Sequence, residues 1–184
     1  MGSASAVKIR TDVAMIDAIL EPARPEIGEA YLGYRNHCYR VYNFCAAFAG
    51  EAGDSDKIAV AAAFHDLGIW TDQTFDYLAP SRRLVREYLI LIKRPQWTEE
   101  LEAMIEYHHR MRSYPGNPGW LVEPFRRADW VDVSLGMLSM GLPRSYIAEV
   151  RSALPNAGFH RTLVLLTARR MKKHPFSPLP MIKF

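Results

Sequence analysis

The stretch AAAFHDLGIW, residues 61–70, sets an adjacent imidazole and carboxylate, His65 and Asp66, among small and apolar side chains. Facing a core, both are costly unless something pairs with them. The partner is one another, a polar network or a metal ion. The same question recurs on three further stripes. His37 lies three residues after Tyr34 and four before Val41, so it shares their helical face. Leu101, Met104 and Ile105 set a stripe whose centre is His108, with His109 on its flank. Phe125, Asp129 and Asp132 follow one another at spacings of four and three.

Each of these groups has a bland reading. A lone core histidine is usually satisfied by a hydrogen bond, and His65 with Asp66 can satisfy each other. His109 can face solvent, and Asp132 can be a supporting or surface residue. Taken together, one dry core must satisfy three or four histidines and two or three carboxylates. A divalent metal meets that need with one group, because His and Asp are its natural ligands and it offsets their burial. Helical bundles build such sites from ligands on separate helices.

The elements that must position these residues are helical almost throughout. Helices are expected over 11–20, 31–49, 56–66, 81–93, 98–112, 124–140, 143–153 and 158–173. Gly50 and Gly53 read as stops, Asp54 or Ser55 as the next cap, and Ser81 and Thr98 as later caps. Pro124 suits a first helical turn. The 56–66 helix is apolar on most sides and is therefore central. Segments 21–30 and 69–80 read as loops, the second rich in aromatic residues. Residues 174–184 form a proline-rich tail that docks on the body or on a second copy, so a homodimer is compatible with the sequence. No alternating strand and no repeat is evident. The fold class is all-α, a bundle of about seven or eight helices, in one domain spanning 1–184.

Composition sets outer bounds. Apolar residues make up 49% and charged residues 23%, an ordinary globular balance. A net charge of +3 gives little reason to invoke nucleic acid and suits a small anionic substrate equally well. Cys38 and Cys45 lie two helical turns apart, poorly placed to bridge, and read as reduced and cytoplasmic. No apolar run reaches the roughly 18 residues of a membrane span. The start MGSASAVKIR lacks the apolar core of a secretory signal.

These residues resemble the signature of the HD-domain superfamily of metal-dependent hydrolases: a His, a His-Asp doublet on the next helix, and a distant Asp. Here they are His37 in RNHCYRVYNF, His65 and Asp66 in AAAFHDLGIW, and Asp129 in RRADWVDVS, at intervals of 28 and 63 residues. The resemblance covers roughly residues 30–140. It implies that His37, His65, Asp66 and Asp129 bind one divalent transition metal, Mn, Fe, Zn, Co or Ni. It also implies a metal-bound water acting on a phosphate ester, with Asp66 orienting the water and Asp132 or His109 shuttling a proton. Arg40, one turn after His37, either meets an anionic substrate or forms a structural ion pair.

Some features depart from the pattern. Many members read HDxGK, and Ile69 followed by Trp70 stands where that lysine would contact phosphate, which suggests a more apolar pocket mouth. HHRMRSYPGNPG is similar to the HHE element of the cyclic-dinucleotide phosphodiesterase branch, but Arg110 replaces its Glu. His108 and His109 are therefore second-metal or substrate-contact candidates, with a single metal favoured over a di-iron oxygenase site. The local phrase HCYRVYNF and the aromatic residues after the doublet resemble the cyanamide hydratase-like branch. That likeness implies a hydro-lyase acting on a small neutral molecule, with Trp70 at its substrate. A non-catalytic HD-like binding module is the reading from another class.

Overall fold

The computed structural model describes residues 8–176 and 180–181. All regular structure among them is helical: α1 (Ala14–Leu20), α2 (Arg24–Ile27), α3 (Tyr31–Ala49), α4 (Ser55–Phe64), α5 (Gly68–Thr71), α6 (Leu78–Leu91), α7 (Thr98–Tyr107), α8 (Val122–Val133), α9 (Arg144–Ala153) and α10 (Phe159–Lys173). Seven of these have ten residues or more, the helical bundle that the sequence pattern predicts. Among the described residues no helix is long and apolar enough to cross a membrane.

The central helix is α4. Ile58 through Phe64 are all buried, so it has no solvent face, and it packs against α1, α3, α6 and α7. Asp54 starts it, with Oδ1 accepting from the backbone of Asp56 at 3.0 Å and of Lys57 at 3.2 Å. The long α3 lies along α8, and Gly50 at φ +61° ends α3. Cys38 and Cys45 on α3 are both buried and free.

Several boundaries differ from the sequence reading. Segment 21–30 is not an open loop. It folds as single turns, with Pro22 and Pro25 in first-turn positions where a missing N–H costs nothing. The first residues of the 69–80 segment belong to α5. Ser81 caps no helix, because α6 already begins at Leu78; its buried hydroxyl accepts from Gly68 N at 3.1 Å. Thr98 is the first residue of α7 and makes no capping hydrogen bond there; the cap position is Trp97. α7 ends at Tyr107 rather than 112. α8 ends at Val133 rather than 140, where Leu135 (φ +58°) and Gly136 (φ +82°) turn the chain. Gly136 N returns to Val131 O at 2.8 Å and Leu135 N to Asp132 O at 2.9 Å, the paired bonds of a left-handed helix stop. Of the expected 174–184 tail, 177–179 and 182–184 lie outside the described residues, as does the start 1–7. Met181 is buried.

Gly68 decides how closely the doublet approaches α6. A Cβ there would stand 2.8 Å from both Tyr77 O and Pro80 Cβ, inside van der Waals contact. Gly68→Ala is therefore expected to destabilise the protein by about 1–3 kcal/mol, lowering Tm by several degrees in a circular-dichroism melt. An unchanged Tm would show that this contact yields freely.

Candidate metal centre

Four helices and the turns after two of them bring the ionisable residues to one point. α3 supplies His37, the turn closing α4 supplies His65 and Asp66, the turn after α7 supplies His108 and His109, and α8 supplies Asp129 and Asp132. His37, His65, His108, Asp129 and Asp132 have no exposed surface, and Asp66 has 2%. His108 keeps right-handed helical geometry as the cap of α7, which is why the stripe read from the sequence still projects it inward.

Hydrogen bonds fix which ring nitrogens are bare. His65 Nδ1 lies 2.9 Å from Ala62 O and His108 Nδ1 2.6 Å from Ile105 O. A carbonyl oxygen only accepts, so each Nδ1 donates and, in the neutral ring, leaves Nε2 as a lone pair. His37 Nδ1 donates to Asp132 Oδ2 at 2.7 Å, which bares its Nε2 as well. The Nε2 atoms of His37 and His65 then face each other at 2.9 Å. Asp66 Oδ2 lies 3.7 Å from His37 Nε2 and 3.5 Å from His65 Nε2; Asp129 Oδ1 lies 3.6 and 3.8 Å from the same atoms. Ligands held about 2.1 Å from one ion stand roughly 3.0–3.5 Å from one another. His37, His65 and Asp66 offer donor atoms close enough together to share an ion, and Asp129 Oδ1 stands slightly further out at the edge of that set.

Four buried acceptor atoms here have no hydrogen-bond partner among the described residues: Asp66 Oδ1, Asp129 Oδ1 and Oδ2, and His108 Nε2. A cation would serve all of them at once. Without one, burial lowers His108 but Asp66 and Asp129 raise it above the usual range, so its ring leans toward carrying that charge itself. Burial raises the carboxyls of Asp66 and Asp129, but the surrounding imidazoles pull both below the usual range. Burial, partly opposed by Asp66, pushes His65 down to about 4, so it stays in the neutral, ligating form. A second donor set adjoins the first: Asp66, His108 and His109 also offer atoms close enough to share an ion. His108 Nε2 lies 3.4 Å from Asp66 Oδ1, and His109 Nδ1 lies 3.2 Å from Asp129 Oδ2.

Two sequence expectations are corrected. Arg40 does not face a substrate. It is 1% exposed, its Nε donates to Asp132 Oδ1 at 2.5 Å and its Nη2 to Asp132 Oδ2 at 2.9 Å, while Nη1 donates to Leu154 O at 3.0 Å. This is the structural ion pair. Asp132 is consequently not placed as a proton shuttle. Burial would raise its carboxyl, but the His37 and Arg40 contacts hold it far below the usual range, and both oxygens are occupied behind His37. The face of His37 is covered by Phe159 of α10, ring centroids 4.1 Å apart.

An apolar cavity of about 150 Å³ reaches the centre, lined by Asp66 and His109 together with Phe75, Tyr77, Trp130, Val133, Leu163, Thr167 and Met181. Sequence reasoning missed Tyr77, whose hydroxyl lies 2.8 Å from His109 Nε2. Its only sequence signal was membership of the aromatic segment after the doublet. Trp70 does not line this cavity. It faces a larger cleft, which the centre's histidines and aspartates do not line.

The family model of the HD domain matches residues 34–134, more than half of the chain, and the chain belongs to the HD domain family. The matched span contains every histidine and aspartate of the centre. The match does not separate the cyanamide hydratase-like branch from the rest of the family. No curated protein and no solved structure shows significant similarity to the chain.

Removing one partner of a buried ion pair leaves the other charged and desolvated. Arg40→Met is expected to cost about 3–5 kcal/mol in a urea titration. A loss below about 1 kcal/mol would show that Asp132 is satisfied without Arg40.

Proposed function

We propose that the protein is a metal-dependent hydrolase acting through an activated water, with a phosphate ester as the leading substrate class. The observation behind this reading is the buried cluster itself: two imidazole Nε2 atoms 2.9 Å apart, with carboxylate oxygens of Asp66 and Asp129 at 3.5–3.8 Å from them, and with Asp66 Oδ1 and both Asp129 oxygens lacking a hydrogen-bond partner among the described residues. Membership of the HD domain family, whose members bind divalent metals, supports it. His37, His65, Asp66 and Asp129 would hold the ion. A divalent metal there lowers the pKa of a coordinated water toward neutrality and offsets charge on the attacked centre.

The chain's own residues do the rest. Asp66 borders the cavity as well as the centre, so it orients what enters. His109, at the cavity wall with Tyr77 on its Nε2, is positioned to take up or return a proton. Asp132 and Arg40 fix the orientation and tautomer of His37 from behind. The apolar walls exclude water from the reacting group. A mixed His and carboxylate set suits Mn, Fe, Zn, Co or Ni, and availability decides among them.

One observation favours a second reading. Among the described residues lining the cavity at Asp66 there is no lysine or arginine. That suits hydration of a small neutral molecule, the chemistry of the cyanamide hydratase-like branch. The adjoining donor set of Asp66, His108 and His109 is where a second ion would sit.

Elemental analysis of purified protein is expected to find about one divalent ion per chain, lost in Asp66→Ala. The loaded protein is expected to hydrolyse bis(p-nitrophenyl) phosphate. Turnover of cyanamide instead selects the second reading. About two irons per chain select a two-ion centre, and no metal after reconstitution with manganese, zinc or iron overturns the proposal. Asp132→Asn, which keeps the shape but weakens the support of His37, is expected to lower metal affinity about 10–100-fold in a chelator competition.

A further inference from the structure

Beside the centre lies a second and larger concavity, a cleft of about 540 Å³ bounded by α2, by α5 and the loop after it, and by the C-terminal half of α10. Its size falls within the roughly 300–1,000 Å³ typical of small-ligand sites. Phe75 lines both this cleft and the cavity at Asp66, so one side chain forms their common wall.

The cleft has two kinds of surface. Trp70 and Phe75 present flat aromatic area, and Trp70 is backed by the buried Tyr34 ring at a centroid distance of 4.3 Å. α10 and its end contribute Arg169, Arg170 and His174, against the single carboxylate of Glu26. Arg169 has no ion pair among the described residues. The loop that forms one wall is held in an unfavourable conformation: Gln73, a lining residue, has φ +49°, a left-handed region that non-glycine residues seldom occupy. Backbone strain of this kind persists where surrounding structure enforces it, and it concentrates at ligand sites.

Aromatic faces accept planar rings by stacking, and guanidinium forks pair with phosphate or carboxylate oxygens. We propose that this cleft binds a planar organic anion, its ring against Trp70 and Phe75 and its anionic group on Arg169 and Arg170. The ligand is either the distal end of the substrate whose reacting end enters the neighbouring cavity, an assignment that rests on the function proposed above, or a separate effector of the same chemistry.

Calorimetric titration of the full chain with adenosine 5′-monophosphate and with 1-naphthyl phosphate tests this, with adenosine and inorganic phosphate as controls. At least one ring-bearing anion is expected to bind with a Kd below about 1 mM, at least ten-fold tighter than either control. Trp70→Leu and Arg169→Ala are each expected to weaken it about ten-fold, and Asp66→Ala is expected to leave binding to the metal-free protein intact. Because Trp70 packs on Tyr34, the exposed Arg169 is the variant whose fold is least at risk. Binding that tightens on metal loading identifies the substrate's distal end, and equal affinity with and without metal identifies an effector; either supports the cleft. No binding at about 5 mM, affinity no better than adenosine, or wild-type affinity in a folded Arg169→Ala would overturn it. Probe binding by a protein that takes up no metal would strike the hydrolase reading alone.

Discussion

Buried acceptors without donors are the constraint on which the rest of the structure turns. Histidine nitrogens and carboxylate oxygens converge where several of them, Asp66 Oδ1, both Asp129 oxygens and His108 Nε2, find no hydrogen-bond partner among the described residues. Left alone, such groups repel one another and lack solvent, so the packing around them has to hold them in place. α4 is suited to this because it is apolar on all sides and fixed by its neighbours before its last turn presents His65 and Asp66. The close approach at Gly68 then sets that turn directly against α6.

A chain of charge runs outward from the centre. Arg40 neutralises Asp132, Asp132 accepts from His37 Nδ1, and His37 thereby turns a bare Nε2 inward. Every link is buried, and each satisfies the desolvation of the next. Phe159 lies parallel over His37, which ties α10 to the same chain although α10 supplies no ionisable group to the centre. A Cβ at Gly33 would stand 2.9 Å from Ala157 O, so α3 admits the start of α10 only because that position has no side chain.

Charge is distributed unevenly around the centre. The cavity that touches Asp66 is aromatic and aliphatic, whereas the cleft across Phe75 gathers two arginines and a histidine. Apolar walls strengthen electrostatic interactions at a reacting group by excluding water. Cations placed further out attract an anion without competing for the centre's own carboxylates.

The all-α class, the central helix and the inward faces of His37, His65, His108 and Asp129 were legible in the sequence, because each rests on a local rule; that these side chains meet at one point is decided by how the helices pack. Helical spacing projects a residue three or four positions along onto the same face, whatever the neighbouring helix does. That rule also placed Asp132 inward, but not what it meets there. Whether Arg40 turned toward a ligand or toward Asp132 depended on a partner 92 residues away. Trp70 and Tyr77 share one aromatic segment, yet they face different cavities, because the chain turns at Gln73 between them. The sequence by itself determined which residue types stand on which helical face. Only the tertiary structure decided which atoms of those residues were left bare, since a lone pair is bare only when the packing supplies it no donor.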